Sequence, residues 1–380
     1  TVDTGAFDSS TFNGAVNGNN NLTLTGSAAT LGFVGDSTPI NTLDVNTSNL
    51  TLNNDIITTG NIQFDGVVGN IVLAEGDSQA MTLTTGADFT SNGATITATN
   101  ANAEDLTITA DGSVTLGAVN LNGGTTDGEL IVTADNDDNG AETMQVTDTI
   151  QNVNLATLSA GGTGTNDTID IDANITTTGS NITIQNAATV EVDASAPRTL
   201  SSASALNMIN NIGSVSLDNG FNLVTLTTGI NNSVTINADL TTTNEADLTI
   251  NARNIDTEEV NLSNSATTGG DLTVNVDSGN AGDFDWKING DVDVGSVDVN
   301  GTAGGGGDTV DFTGSYTVTS RSGAIEMADG GGIATINLIT TNNLTATITN
   351  ADTNDTNVTL PNIDGDNPGA GNEGSLTVNS

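Results

Sequence analysis

Along most of the chain, aliphatic residues alternate with Thr, Asn, Asp or Gln at a period of two. Leu22-Thr-Leu-Thr, Leu43-Asp-Val, Leu50-Thr-Leu, Ile62-Gln-Phe and Ile71-Val-Leu open the series. Each segment has one apolar and one polar face, the pattern of a short β-strand with one side buried. Gly, Asn and Asp stand between the segments, and these residues tolerate the left-handed backbone of tight turns. No stretch carries a convincing helical period; Ser201–Ile212 reads as one short helix or an irregular loop.

The strand starts recur at a short, nearly fixed interval. Met81, Leu106, Leu130 and Leu155 form one series, and Val224, Leu248, Leu272 and Val297 another. Asp105-Leu-Thr-Ile restarts as Glu129-Leu-Ile-Val, and Asp247-Leu-Thr-Ile as Asp271-Leu-Thr-Val. Both restarts come 24 residues on (129 − 105 and 271 − 247). A β-sandwich has no reason to hold such an interval, whereas stacked coils do. The fold class this predicts is all-β: a β-solenoid with rungs of about 24 residues, each turning a row of Leu, Ile and Val inward.

A longer repeat overlies the short one. Asp105 matches Asp247 at an offset of 142 (247 − 105), and Asp167 matches Asp308 at 141 (308 − 167). Two tandem units of about 142 residues are expected at 61–203 and 204–346. Residues 1–60 form an entry and partial repeat, and 347–380 a C-terminal partial repeat.

Composition narrows the chemistry. The 380 residues hold 4 Lys+Arg against 47 Asp+Glu, a formal charge of -43, with no His and no Cys. Such a polyanion lacks the basic groups that displace counterions from nucleic acid. Disulfides, thiolate or His-based catalysis and Cys/His zinc sites are excluded outright. No apolar run approaches the ~18 residues of a membrane span. The few cations (Arg198, Arg253, Lys287, Arg321) lie far apart, and carboxylate pairs such as Glu258/Glu259 and Asp291/Asp293 match a solvated face. No enzyme is expected.

The remaining chemistry is oxygen-ligand chemistry. Asp135-Asn-Asp137-Asp-Asn139-Gly140 places oxygen donors at alternate positions before a Gly turn, as the first half of a calcium loop does. Val146 stands where the closing bidentate Glu of such a loop belongs. Gly161-Gly-Thr-Gly-Thr-Asn-Asp167 and Ala303-Gly-Gly-Gly-Gly-Asp308 approach the glycine-rich nonapeptide that binds calcium between coils; Asp364-Gly-Asp366 is a fainter version. Asp135, Asp137, Asn139, Asp167 and Asp308 are therefore the candidate metal ligands, with calcium the candidate cofactor. A solvated acidic turn is the competing account of each. Trp286, aligned with Met144 at an offset of 142 (286 − 144), reads as packing. Thr-x-Thr pairs such as Thr82/Thr84 and Thr107/Thr109 resemble the threonine faces of ice-binding solenoids, but in the sequence they do not recur at every rung.

Ile57-Thr-Thr-Gly-Asn-Ile-Gln-Phe-Asp-Gly, Ile175-Thr-Thr-Thr-Gly-Ser-Asn-Ile-Thr-Ile and Asp247-Leu-Thr-Ile-Asn-Ala resemble the repeats of bacterial filamentous-haemagglutinin-like adhesins. The Gly161-Gly-Thr-Gly-Thr-Asn-Asp-Thr-Ile turn is similar to segments of calcium-dependent surface-layer proteins. The resemblance implies a secreted or cell-surface β-solenoid with structural or adhesive work. Its expected partners are further copies of itself in a filament, sheath or lattice, or a glycan or neighbouring cell surface. Neither nucleic acid nor membrane insertion is expected.

Overall fold

The computed structural model describes residues 2–3, 8–74, 80–98, 104–122, 127–161, 166–218, 220–229, 231–276, 285–301, 308–329, 333–338, 345–351, 357–364 and 375–379. Among them every regular element is a β-strand, and the strands pair in parallel, one coil upon the next. The chain is a β-solenoid organised as two compact units, Thr1–Val190 and Glu191–Ser380.

In the first unit the coils build three strand tracks. One holds Ile56–Thr58, Met81–Thr85, Leu106–Ala110, Glu129–Thr133, Leu155–Ser159 and Ile182–Gln185. A second runs from Ile62–Gln63 through Phe89–Thr90, Val114–Leu116 and Thr143–Val146 to Thr168–Ile171. A third runs from Asn70–Leu73 through Thr95–Ala98, Ala118–Asn120 and Ile150–Val153 to Ile175–Thr177. Leu43–Leu52 pairs with both Ile62–Gln63 and Asn70–Leu73, so one long strand feeds two tracks. In the second unit, Leu206–Met208, Ser233–Ile236, Asn254–Thr257, Asp285–Ile288, Asp308–Phe312, Ile333–Leu338 and Asn362–Asp364 stack in the same manner.

The expected rung length holds with local variation. Leu106 pairs with Leu130 (130 − 106 = 24), and Val224, Leu248 and Leu272 pair in series at 24. Ile255 pairs with Trp286 across 31 residues (286 − 255). One register differs from the expected series: Leu130 lies opposite Ala156, and Leu155 lies opposite Glu129. Ala156 and Leu158 then point inward together, two residues apart. Ser201–Ile212 holds no helix. Arg198–Ser202, Leu206–Met208 and Ile212–Asp218 are strands that bury Leu200, Leu206, Met208 and Ile212.

Inward positions on the first track of the N-terminal unit form an apolar row. Met81, Leu83, Leu106, Ile108, Leu130, Val132, Ile182 and Ile184 are fully buried, and a single coil could not bury such a row without its neighbours. Phe64 and Phe89 meet edge to face at 5.9 Å in the same interior. Trp286 is fully buried, and its Nε1 donates to Thr257 Oγ1 at 3.1 Å, as a packing role requires.

The outward positions form columns of their own. On the first track Thr82, Thr107, Ile131, Thr157 and Thr183 align, beside Ile57, Thr84, Thr109, Thr133 and Gln185, with Ser159 buried in the second column. The threonine pairs that looked irregular along the chain thus stack into two continuous uncharged columns. In the second unit Asn251, Asn275 and Asn300 make an amide ladder: Asn300 Nδ2 donates to Asn275 Oδ1 at 3.0 Å, and Asn275 Nδ2 to Asn251 Oδ1 at 2.6 Å.

Acidic residues hold the corners together. Asp55 Oδ1 accepts from Thr82 N at 2.7 Å, Asp88 Oδ1 from Ser113 N at 3.0 Å, and Asp105 Oδ1 from Glu129 N at 2.7 Å. Asp247 Oδ1 accepts from Asp271 N at 2.8 Å and Asp291 Oδ1 from Thr317 N at 2.8 Å. In all five, the carboxylate precedes a strand and holds the backbone N–H of its own equivalent one coil on. A hydrogen bond to an ionised acceptor contributes about 1.5–3 kcal/mol. Asp105→Ala should therefore lower the unfolding free energy by about 1–3 kcal/mol in denaturant titration, whereas Asp105→Asn, which keeps an acceptor oxygen, should lose less than half of that.

Candidate metal centre

The corner between Glu129–Thr133 and Thr143–Val146 is built differently from the five above. Past the buried Ala134 the chain curls rather than extends. Asp135 and Asp138 both adopt left-handed backbone, at φ 45° and 57°. Asp135 N donates to Gly112 O at 3.1 Å and Asn136 N to Ala110 O at 3.0 Å, which pins the turn on the preceding coil. Asp138 N then donates to Asp135 O at 3.2 Å, and Asn139 N to Asp135 Oδ1 at 3.0 Å. Gly161 lies against this turn from the following coil at φ +92°. A Cβ there would stand 2.0 Å from Asp135 O, so only glycine fits.

Asp167 arrives from the following coil. It directly precedes Thr168–Ile171, which pairs with Thr143–Val146, and its Oδ1 accepts from Glu142 N at 3.0 Å. The direction is the reverse of the other corners: this carboxylate reaches back to the earlier coil, where Asp135 and Asp138 lie. One oxygen from each of Asp135, Asp138 and Asp167 falls within 4.8 Å of the others. Oxygens sharing one calcium ion, bound at 2.3–2.6 Å each, are at most about 5 Å apart, so the three fit one coordination sphere.

Asp135 and Asp167 are fully buried while Asp138 faces solvent, a site sealed on the core side and open on one. Asp135 Oδ2 is buried without a hydrogen-bond partner. Burial pushes the Asp135 carboxyl above the usual carboxylate range, and the charges of Asp167, Asp137 and Asp138 push it further, against the Asn139 N–H.

The structure sorts the five candidate residues. Asp135 and Asp167 come together, joined by Asp138, which a reading of alternate positions passes over. Asp137 is not one of the three grouped carboxylates and accepts from Asn139 Nδ2 at 2.9 Å, while the Asn139 backbone N donates to Asp135 Oδ1. Val146 points into the core, so the second half of a helix–loop–helix calcium site has no counterpart here. Asp308 is buried at the head of Asp308–Phe312 in the second unit and is not one of the three grouped carboxylates. Residues 162–165, 302–307 and 365–366, the glycine-rich parts of the three nonapeptide-like segments, lie outside the described residues.

A second concentration of acid lies in the other unit, where Glu258 is held above the usual range by burial and then by the charges of Asp256 and Asp239. Asp256 already accepts from Asn289 Nδ2. Glu259 is raised likewise, by burial and then by Asp239, Asp291 and Asp293, of which Asp291 accepts from Thr317 N and Asp293 from the Arg321 guanidinium.

No protein-family model, no curated protein and no solved structure matches the chain.

The raised Glu258 pKa carries a signed consequence. The folded state holds this proton more tightly than the unfolded state, so stability falls as pH rises from the ordinary value of about 4.3 through the folded value. Glu258→Gln should therefore be more stable than the parent above that window and no more stable below it, read as Tm against pH in chelator. Parallel curves for parent and variant across the carboxylate range would show that Glu258 is unperturbed.

Proposed function

We propose that this chain is a non-enzymatic structural protein of a bacterial cell surface, a subunit or segment of an extracellular filament, sheath or surface layer. The observation that carries the reading is the repetition of one scaffold coil after coil: inward aliphatic rows, corner carboxylates on the next coil's N–H, and outward Thr and Asn columns. Copied features of this kind build a stack and single out no position for chemistry.

The basic residues support it further. Arg198 pairs with Asp193 at 2.8 Å, Lys287 with Asp285 at 3.4 Å, and Arg321 with Asp293, so these three cations serve the scaffold. A β-helical enzyme acting on acidic polysaccharide would need such groups free to meet substrate. The Asp193 carboxyl shows the engagement: burial raises its pKa, but hydrogen bonds from Ser195 and the Arg198 charge outweigh this and hold it below the usual range.

An adhesive role is the second reading, and the uncharged columns of Thr82–Thr183 and Thr84–Gln185 favour it. On a chain of net charge -43, they offer a neutral face to a glycan or a neighbouring surface. Electron microscopy of the purified chain across a concentration series, with calcium and with chelator, separates the two. Ordered filaments or sheets are expected; monodisperse particles at every concentration, together with specific hits on a glycan array, would replace the structural reading by the adhesive one.

A further inference from the structure

We propose that Asp135, Asp138 and Asp167 bind a hard divalent cation of the calcium class, which clamps two successive coils of the N-terminal unit together. Three observations carry this. First, the three carboxylates converge from two different coils to within 4.8 Å, so an ion held by all of them bridges the stack. Second, Asp135 Oδ2 is sealed from solvent and takes no hydrogen bond. A buried carboxylate oxygen left unpaired is costly, and this one belongs to the carboxylate on which Asp138 and Asp167 converge. Third, the loop departs from the design of the five corners above: Asp135 and Asp138 take left-handed backbone, and Asp167 holds an N–H of the earlier coil instead of the later one, which brings its carboxylate to theirs.

The chemistry of the donors fixes the class of ion. All three are carboxylate oxygens, and the chain has no His or Cys to supply nitrogen or thiolate. Oxygen-only sites suit calcium and its hard relatives, not zinc or copper. The exposed side at Asp138 leaves room for water to complete the shell. Asp137 is not one of the three grouped carboxylates. The site lies wholly within one unit, so it stands or falls apart from any assembly between copies.

The test uses the full chain with calcium, in 0.5 M NaCl so that loose counterion binding to the polyanion is screened. Calorimetric titration and thermal unfolding are run on the parent, Asp135→Asn, Asp138→Asn and, as a control outside the cluster, Asp137→Asn. The parent and Asp137→Asn should show one saturable site and a calcium-dependent rise in Tm. Asp138→Asn, at an exposed position that leaves the core untouched, should weaken binding by roughly tenfold or more. Asp135→Asn should invert the order of stability: above the parent in chelator, where an unpaired buried charge is removed, and below it in calcium. A parent that gains no stability from calcium, or that binds no more tightly than Asp138→Asn, would overturn the proposal and leave the cluster as an unrelieved repulsion.

Discussion

The backbone hydrogen bond between one coil and the next is the interaction on which the rest depends. Parallel pairing fixes the register, the register lines up the inward Leu, Ile and Val, and alignment lets each coil cover its neighbour's apolar row. At each strand start the N–H lies beyond the regular ladder, and Asp55, Asp88, Asp105, Asp247 and Asp291 supply the missing acceptor from the adjacent coil. The passages at Asp105 and Asp247, so alike in sequence, use the same bond for the same purpose. A carboxylate that binds its own equivalent one coil on can be copied without redesign, which is why it survives repetition.

This places the charge of the chain in a different light. A net charge of -43 opposes compaction by self-repulsion. Yet part of that acid does structural work at corners and in ion pairs with Arg198, Lys287 and Arg321. Where acids meet one another instead, as at Asp135, Asp138 and Asp167, repulsion is concentrated in one place. Glycine at 161 permits the close approach of the two coils there, since any side chain would meet the Asp135 carbonyl.

Much of the fold was legible because stacking imposes a period on the sequence. Leu106 with Leu130, and Val224 with Leu248, Leu272 and Val297, pair as the interval predicts. Other features were hidden for identifiable reasons. Leu155 is more apolar than Ala156 and looks like the core residue, but cross-coil register places the smaller side chain inward. In Ser201–Ile212 the one strand that lies wholly inside spans only Leu206–Met208, so Leu206 and Met208 alone carry the period of two. The cluster was half visible. Counting every second residue from Asp135 assumes an extended loop, whereas left-handed backbone at Asp135 and Asp138 curls it and brings in Asp138. The run Asp-Asn-Asp-Asp-Asn-Gly, rich in residues that accept that conformation, was the available signal. The approach of Asp167 could not be read locally, since it depends on which coil follows.

The central claim is that corner carboxylates extend the ladder by holding the next coil's N–H groups. Residue-resolved amide hydrogen exchange tests it most directly, at Thr82, Ser113, Glu129, Asp271 and Thr317. The account predicts that these five amides are protected to the same degree as the strand amides that follow them. Exchange at the rate of open loop amides, with protection beginning only one residue later, would contradict it.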